Sequence, residues 1–182
     1  MFLIIGLTGF SGAGKTSLVK YLRRYLDINY ISLGGIARKV SQDRKLSLEE
    51  QTEIFKNKSV GESCKEEIRL MKREHKILVV DGIRSRADYE FFKSQADKFV
   101  LFMIVADKEK RYKRICARNL KKDQSFLKNP QEHELWEWEF GIKEIFMEVD
   151  KFILNNGDIS GAERDLFELI CEYDIDKIER DF

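Results

Sequence analysis

Gly9-Phe10-Ser11-Gly12-Ala13-Gly14-Lys15-Thr16 is the stretch that decides the fold. It fits G-x-x-x-x-G-K-[ST] and stands between an apolar run, residues 2–8, and a stretch of helical period, which is the context that pattern requires. The spacing sets the chemistry. Glycines let the backbone curl, so that several N–H groups and the positive end of the next helix converge on the phosphates of a nucleotide. Lys15 is placed to reach the β- and γ-phosphates and the Thr16 hydroxyl to ligate Mg²⁺. The bland alternative, a glycine turn that imitates the pattern, is disfavoured by the strand before it and the helix after it. Gly9, Ser11, Gly12, Ala13, Gly14, Lys15, Thr16 and Ser17 are therefore the expected nucleotide-binding residues.

Outward from that loop, short runs rich in Ile, Val and Phe alternate with longer stretches of helical period. The expected strands are residues 2–8, 28–33, 76–81, 98–106 and 151–155. Leu18, Leu22, Tyr25 and Leu26 make one helical stripe, and Ala162, Leu166, Leu169 and Ile170 another. The pattern predicts an α/β fold: a three-layer P-loop NTPase domain with a five-stranded parallel sheet and helices on both faces. The 182 residues suffice for one such domain, 1–182, with a helical region over about 34–74. Residues 119–133 are polar and hold the only proline, Pro130, which reads as a mobile excursion, a short lid.

Composition narrows the partners. A formal net charge of +1 offers no general field for nucleic acid or an acidic membrane, so anion selectivity has to come from clustered Lys and Arg. The basic stretch 108–128 lacks the interleaved aromatic residues of a single-strand binding surface. The first residues carry no basic leader, and the longest later apolar run, 99–106, is too short to span a bilayer. The expectation is a soluble cytoplasmic protein, monomer or homodimer, whose partner is a small phosphorylated molecule. Cys64, Cys116 and Cys171 stand singly and support neither a disulfide frame nor a zinc site.

Within the P-loop class, two absences are informative. No Asn-Lys-x-Asp occurs, and Asp81 is followed by Gly82 rather than by a water-activating glutamate, which suits transfer of a phosphoryl group to something other than water. Such a transfer between anions needs fixed cations, and Arg, with its planar fork, holds two phosphate oxygens at once. Arg38, Arg84, Arg114 and Arg118 each fall at or just past the C-terminal end of an expected strand, the edge where open α/β sheets bind ligands. For Arg86 and Arg111 position weighs evenly between a phosphate contact and a surface charge. His75 and His133 lie in polar surroundings and carry no assigned role.

These segments, in this order, resemble the nucleoside monophosphate kinase family, which includes adenylate kinase and dephospho-CoA kinase. The resemblance runs through Ile31-Ser32-Leu33-Gly34-Gly35-Ile36-Ala37-Arg38, Asp81-Gly82-Ile83-Arg84-Ser85-Arg86, Arg114-Ile115-Cys116-Ala117-Arg118 and Asn155-Asn156-Gly157. A similar D-G-I/V-R-S segment, and the Phe140-Gly141-Ile142 stretch, are shared with an uncharacterised archaeal group described as adenylate kinase-related. The resemblance implies ATP and Mg²⁺ as cofactors, with Thr16 and Asp81 at the metal. It implies catalytic roles for Lys15, Asp81, Arg84, Arg114 and Arg118, acceptor binding by the 34–74 region with Arg38 and by Arg84 and Arg86, and Asn155 and Gly157 beside the adenine. Dephospho-CoA kinase has an Asp-x-Asp where this chain has Ser32-Leu33-Gly34, so a base for a hydroxyl acceptor is missing there. A phosphate acceptor needs none. The implied activity is phosphoryl transfer from ATP to a phosphate group, as in a nucleoside or deoxynucleoside monophosphate kinase. The alternatives are dephospho-CoA kinase and a slow nucleotide-dependent switch acting through a protein partner.

Overall fold

All six residues of β1 (Leu3–Thr8) are buried, which a strand achieves only in the middle of a sheet covered on both faces. The computed structural model, which describes residues 1–74, 77–118 and 127–174, has that architecture. Parallel to β1 run β3 (Ile77–Asp81) on one side and β4 (Lys98–Val105) on the other. β2 (Asn29–Ser32) lies outside β3 and β5 (Lys151–Leu154) outside β4, giving the order β2-β3-β1-β4-β5. Each described strand sits within the stretch expected of it, trimmed at its ends. The expected start of the third, residue 76, lies outside the described residues.

Helices follow the strands in turn. α1 (Lys15–Leu22) follows β1. Between β2 and β3 come α2 (Leu33–Arg44), α3 (Leu48–Asn57), a 3₁₀ turn (Val60–Cys64) and α4 (Lys65–Glu74). α5 (Arg86–Gln95), α6 (Lys108–Arg118), α7 (Pro130–Glu137) and α8 (Ile159–Asp174) complete the described helices of two turns or more. The period-2 alternation of β1 divides the interior into two cores. Leu3, Ile5 and Leu7 pack with Leu18, Val19 and Leu22 of α1 and with Ala162, Leu166 and Ile170 of α8. Phe2 and Ile4 face the other layer, against Leu33, Phe55, Ile68 and Phe92. The first helical stripe differs at one position: α1 stops at Leu22, so Tyr25 falls beyond it and is 63% exposed, while Val19 takes the buried place.

Of the expected lid, residues 119–126 lie outside the described residues. Its end, residues 130–133, is helical. Pro130 stands in the first turn of α7, where a missing N–H is no loss, and the Asn129 side chain accepts the Glu132 amide as N-cap. α7 runs into a π-helical turn, Trp138–Ile142. There a Cβ on Gly141 would stand 2.6 Å from the Arg84 carbonyl oxygen, so only glycine lets this turn lie against the β3–α5 loop. None of the described helices is long and apolar enough to cross a membrane.

Candidate active site

At the C-terminal edge of the sheet the Gly9–Thr16 loop joins β1 to α1. Gly14, with φ of 104°, packs so closely on Asn155 that a Cβ would meet the Asn155 amide nitrogen at 2.3 Å. That amide donates to the Ala13 carbonyl at 2.7 Å, and the buried Asn155 thereby braces the loop from the end of β5. Arg114 bonds the Asn155 carbonyl at 2.9 Å and reaches the Gly12 carbonyl at 3.5 Å. Arg111 is buried beneath the loop, its Nε donating to the Ala106 carbonyl at 3.0 Å and its guanidinium paired with Glu134 of α7.

Lys15 folds back on the loop, its ammonium donating to the Gly9 carbonyl at 2.6 Å and the Phe10 carbonyl at 3.1 Å. Burial lowers its pKa from 10.5 to about 8, with Asp81 and Glu137 opposing the shift and Arg84 and Arg118 adding to it. Thr16 donates its hydroxyl to Asp81 at 2.8 Å, and Asp81, buried at the end of β3, also accepts from Tyr30. A hydroxyl and a carboxylate meeting at the phosphate loop form a hard-oxygen donor set that fits Mg²⁺.

These groups open on a cavity of about 500 Å³. Of the residues predicted from sequence, Ser11, Gly12, Gly14, Lys15, Thr16, Ser17, Arg38, Asp81, Arg84 and Arg118 all line it. Gly9 and Ala13 are buried under the loop. Asn155 and Arg114 stand behind the loop as struts, and Gly157 has nothing within 4 Å of where its Cβ would be. Arg86 is not brought to the cavity: its guanidinium pairs with Glu148 at 2.6 Å and Glu90 at 2.7 Å on the surface.

The structure adds residues to which the sequence reading assigned no role. Phe55, Trp136 and Phe140 give the cavity an aromatic wall, with Trp136 and Phe140 ring centres 5.2 Å apart, and His133 joins the lining. Trp138 points the other way and stacks on Phe10 at 6.5 Å. The most consequential addition is Glu137, which is 0% exposed. Its carboxylate accepts the Ser11 amide at 2.9 Å and the Ser11 hydroxyl at 2.8 Å, and pairs with Arg84 at 2.7 Å. Burial pushes its pKa up, but Arg84, Lys15, the Ser11 amide and His133 outweigh burial and hold it below the usual carboxylate value. No spacing signal marks Glu137, since it lies 126 positions from Ser11 in an acidic-aromatic run.

The signature of a family described as AAA domain matches residues 5–137, most of the chain and nearly all the residues around the cavity. The chain belongs to that family. It is 26% identical over 92% of its length to a UPF0200 protein of Thermococcus onnurineus, 96% of which is covered. It is 29% identical to a UPF0200/UPF0201 protein of Archaeoglobus fulgidus over 92% of this chain but only 53% of that one. Among solved structures, shikimate kinase from Bacteroides thetaiotaomicron superposes with a TM-score of 0.59 at 17% identity, covering 92% of this chain and 98% of that one. TT1252 from Thermus thermophilus gives 0.56 at 17% identity, covering 94% and 97%. The fold is thus that of P-loop kinases, and the archaeal relatives match the group the sequence resembles. A nucleotide-binding phosphotransferase is the activity this kinship supports.

Proposed function

We propose that the chain is an ATP- and Mg²⁺-dependent phosphotransferase acting on a small acceptor that itself carries a phosphate, a nucleoside or deoxynucleoside monophosphate foremost. The observation that carries this reading is the cavity, where Lys15, Thr16 and Asp81 meet Arg38, Arg84 and Arg118 beneath the aromatic wall of Phe55, Trp136 and Phe140. In this reading ATP lays its phosphates on the loop, and Thr16 and Asp81 would hold the Mg²⁺ that would offset their charge. Lys15 leaves the Gly9 and Phe10 carbonyls for the β- and γ-phosphates. The acceptor enters from the 34–74 side, its phosphate on Arg38 and its planar portion against the aromatic rings, while Arg118 meets the transferred group. The enzyme works in the cytoplasm as a monomer or homodimer.

On the arginines alone, the receiving group would be the acceptor's phosphate. The Glu137 carboxylate resting on Ser11 favours a second reading, in which a hydroxyl of the same phosphorylated acceptor receives the phosphoryl group, as in the dephospho-CoA kinase alternative. A coupled ADP-release screen against nucleoside and deoxynucleoside monophosphates and dephospho-CoA tests the function. An acceptor-dependent rise in ADP is the expected result. Release that no acceptor raises would leave the slow switch in its place.

A further inference from the structure

The Ser11–Glu137 pair stands on the phosphate loop where Ser11 lines the cavity, and its hydrogen-bond polarity bears on which acceptor it can meet. We infer that the atom receiving the phosphoryl group is a neutral hydroxyl oxygen of the phosphorylated acceptor, and that its proton leaves through the Ser11 hydroxyl to Glu137. This rests on the phosphotransferase reading above and names the chemistry of its acceptor.

The geometry is as follows. Ser11 lies on the lip of the loop next to Phe10, whose carbonyl, with that of Gly9, holds the Lys15 ammonium. Lys15 of this motif serves the β- and γ-phosphates, so Ser11 stands at the γ-phosphate end, and it lines the cavity. A serine hydroxyl has one proton and two lone pairs. The proton is committed to Glu137 Oε1 at 2.8 Å, and one lone pair faces Arg84 Nη2 at a long 3.5 Å. The remaining lone pair is what Ser11 offers the cavity, and a lone pair with a carboxylate behind it attracts an O–H donor. An ionised phosphate oxygen has only lone pairs to present and gains no hydrogen bond from that lone pair, so the donor's γ-phosphate is held by Lys15 and an acceptor phosphate finds no partner in Ser11. Arg84 does not reverse this, because its own charge is already matched by Glu137 at 2.7 Å.

The transfer then balances. The acceptor oxygen forms a bond to the γ-phosphorus, the bond from that phosphorus to the β,γ-bridging oxygen breaks, and ADP leaves with the electron pair. The acceptor's proton passes to Ser11 Oγ as the Ser11 proton passes to Glu137 Oε1. Glu137 is weakly basic in the free protein because Arg84, Lys15 and His133 face it. Bound phosphates neutralise Lys15 and add negative charge beside it, which makes it a better proton acceptor at the moment of transfer. Ser11 is the contact, and Glu137 acts through it as a positioning residue. No Asp-x-Asp after β2 is then needed, because the carboxylate arrives from α7.

The test uses water, a hydroxyl donor always present, and then real acceptors. ADP release from MgATP without acceptor is measured in the full chain, in Ser11→Ala and in Glu137→Gln. Ser11→Ala leaves the Glu137–Arg84 pair intact and so remains informative if Glu137→Gln folds poorly. We expect kcat to fall on the order of 10²-fold in each variant with the KM for ATP nearly unchanged, as for loss of a proton acceptor. Unchanged kcat in both folded variants, or no measurable release by the unaltered chain, would overturn the inference. Acceptors that raise ADP release are followed by phosphorus NMR. A new phosphomonoester supports the inference, whereas a phosphoanhydride overturns it and leaves the phosphotransferase reading standing. If no acceptor raises the rate, that reading falls instead, and the water measurements still decide the role of Ser11 and Glu137.

Discussion

Nucleotide binding should take up a proton at mildly alkaline pH, and Lys15 is the group that takes it. Its ammonium is buried, so its pKa is lowered from 10.5 to about 8 in the free protein. A shift of that size corresponds to on the order of 3 kcal/mol of disfavour for the charged form. Phosphates laid on the loop supply the missing counter-charge, so the bound pKa rises. The sign follows from linkage. Below pH 8 both free and bound states hold the proton, and binding exchanges none. Above it the free state has lost the proton that the bound state keeps, so affinity declines as pH rises. Uptake should be roughly 0.1 proton at pH 7, about 0.5 at pH 8 and about 0.9 at pH 9, with affinity about tenfold weaker at pH 9 than at pH 7. Titration calorimetry of MgADP in buffers of differing ionisation enthalpy measures the uptake directly. Near Lys15, the Glu137 carboxyl is held below the usual carboxylate value and the Tyr30 hydroxyl is raised above its ordinary value of 10.0, so neither titrates in this window. Uptake absent at pH 8 to 9, or persisting in Lys15→Met, would refute the reasoning. The same depression makes the ligand-free fold gain stability as pH rises from about 8 towards 10.5, since there the unfolded chain holds the proton that the native state has released.

Three further substitutions separate struts from contacts. Asn155→Ala removes the brace on the Ala13 carbonyl and leaves that acceptor buried and unpaired; a loss of about 1–3 kcal/mol in denaturant unfolding is expected, with a raised KM for ATP, and unchanged stability would count against the brace. Arg38→Ala should raise the acceptor KM and leave the KM for ATP alone, whereas Arg114→Ala, which loosens Gly12 and Asn155 behind the loop, should do the reverse; the opposite pattern in steady-state kinetics would show the roles are exchanged.

How much of this was legible in the sequence depends on whether the signal is local. The phosphate loop, the strands and their parallel order within an α/β fold follow from short-range facts: glycine spacing, runs apolar on both faces, helical period between them. The same locality places Thr16 and Asp81 together, because both stand at C-terminal strand edges of one sheet. Long-range contacts were not legible. Arg84 and Arg86 are two residues apart and chemically alike, yet one lines the cavity and the other pairs with Glu148, because α5 begins between them and turns the second outward. Asn155, expected beside the adenine, has its side chain on the Ala13 carbonyl, a contact across the fold that no local pattern announces. Pro130 reads as a breaker by composition and becomes the first turn of a helix once Asn129 caps it.

The sequence by itself determined the nucleotide-phosphate loop, the sheet that carries it and the arginines at its edge, since each is written in neighbouring residues. Only the tertiary structure decided what stands opposite that loop. Glu137 is one of several glutamates on an acidic helix until α7 and the Gly141 turn dock it on Ser11 and Arg84. A carboxylate becomes chemistry rather than surface charge only when packing removes its water and supplies three fixed donors, and that happens across 126 positions of chain that no local pattern spans.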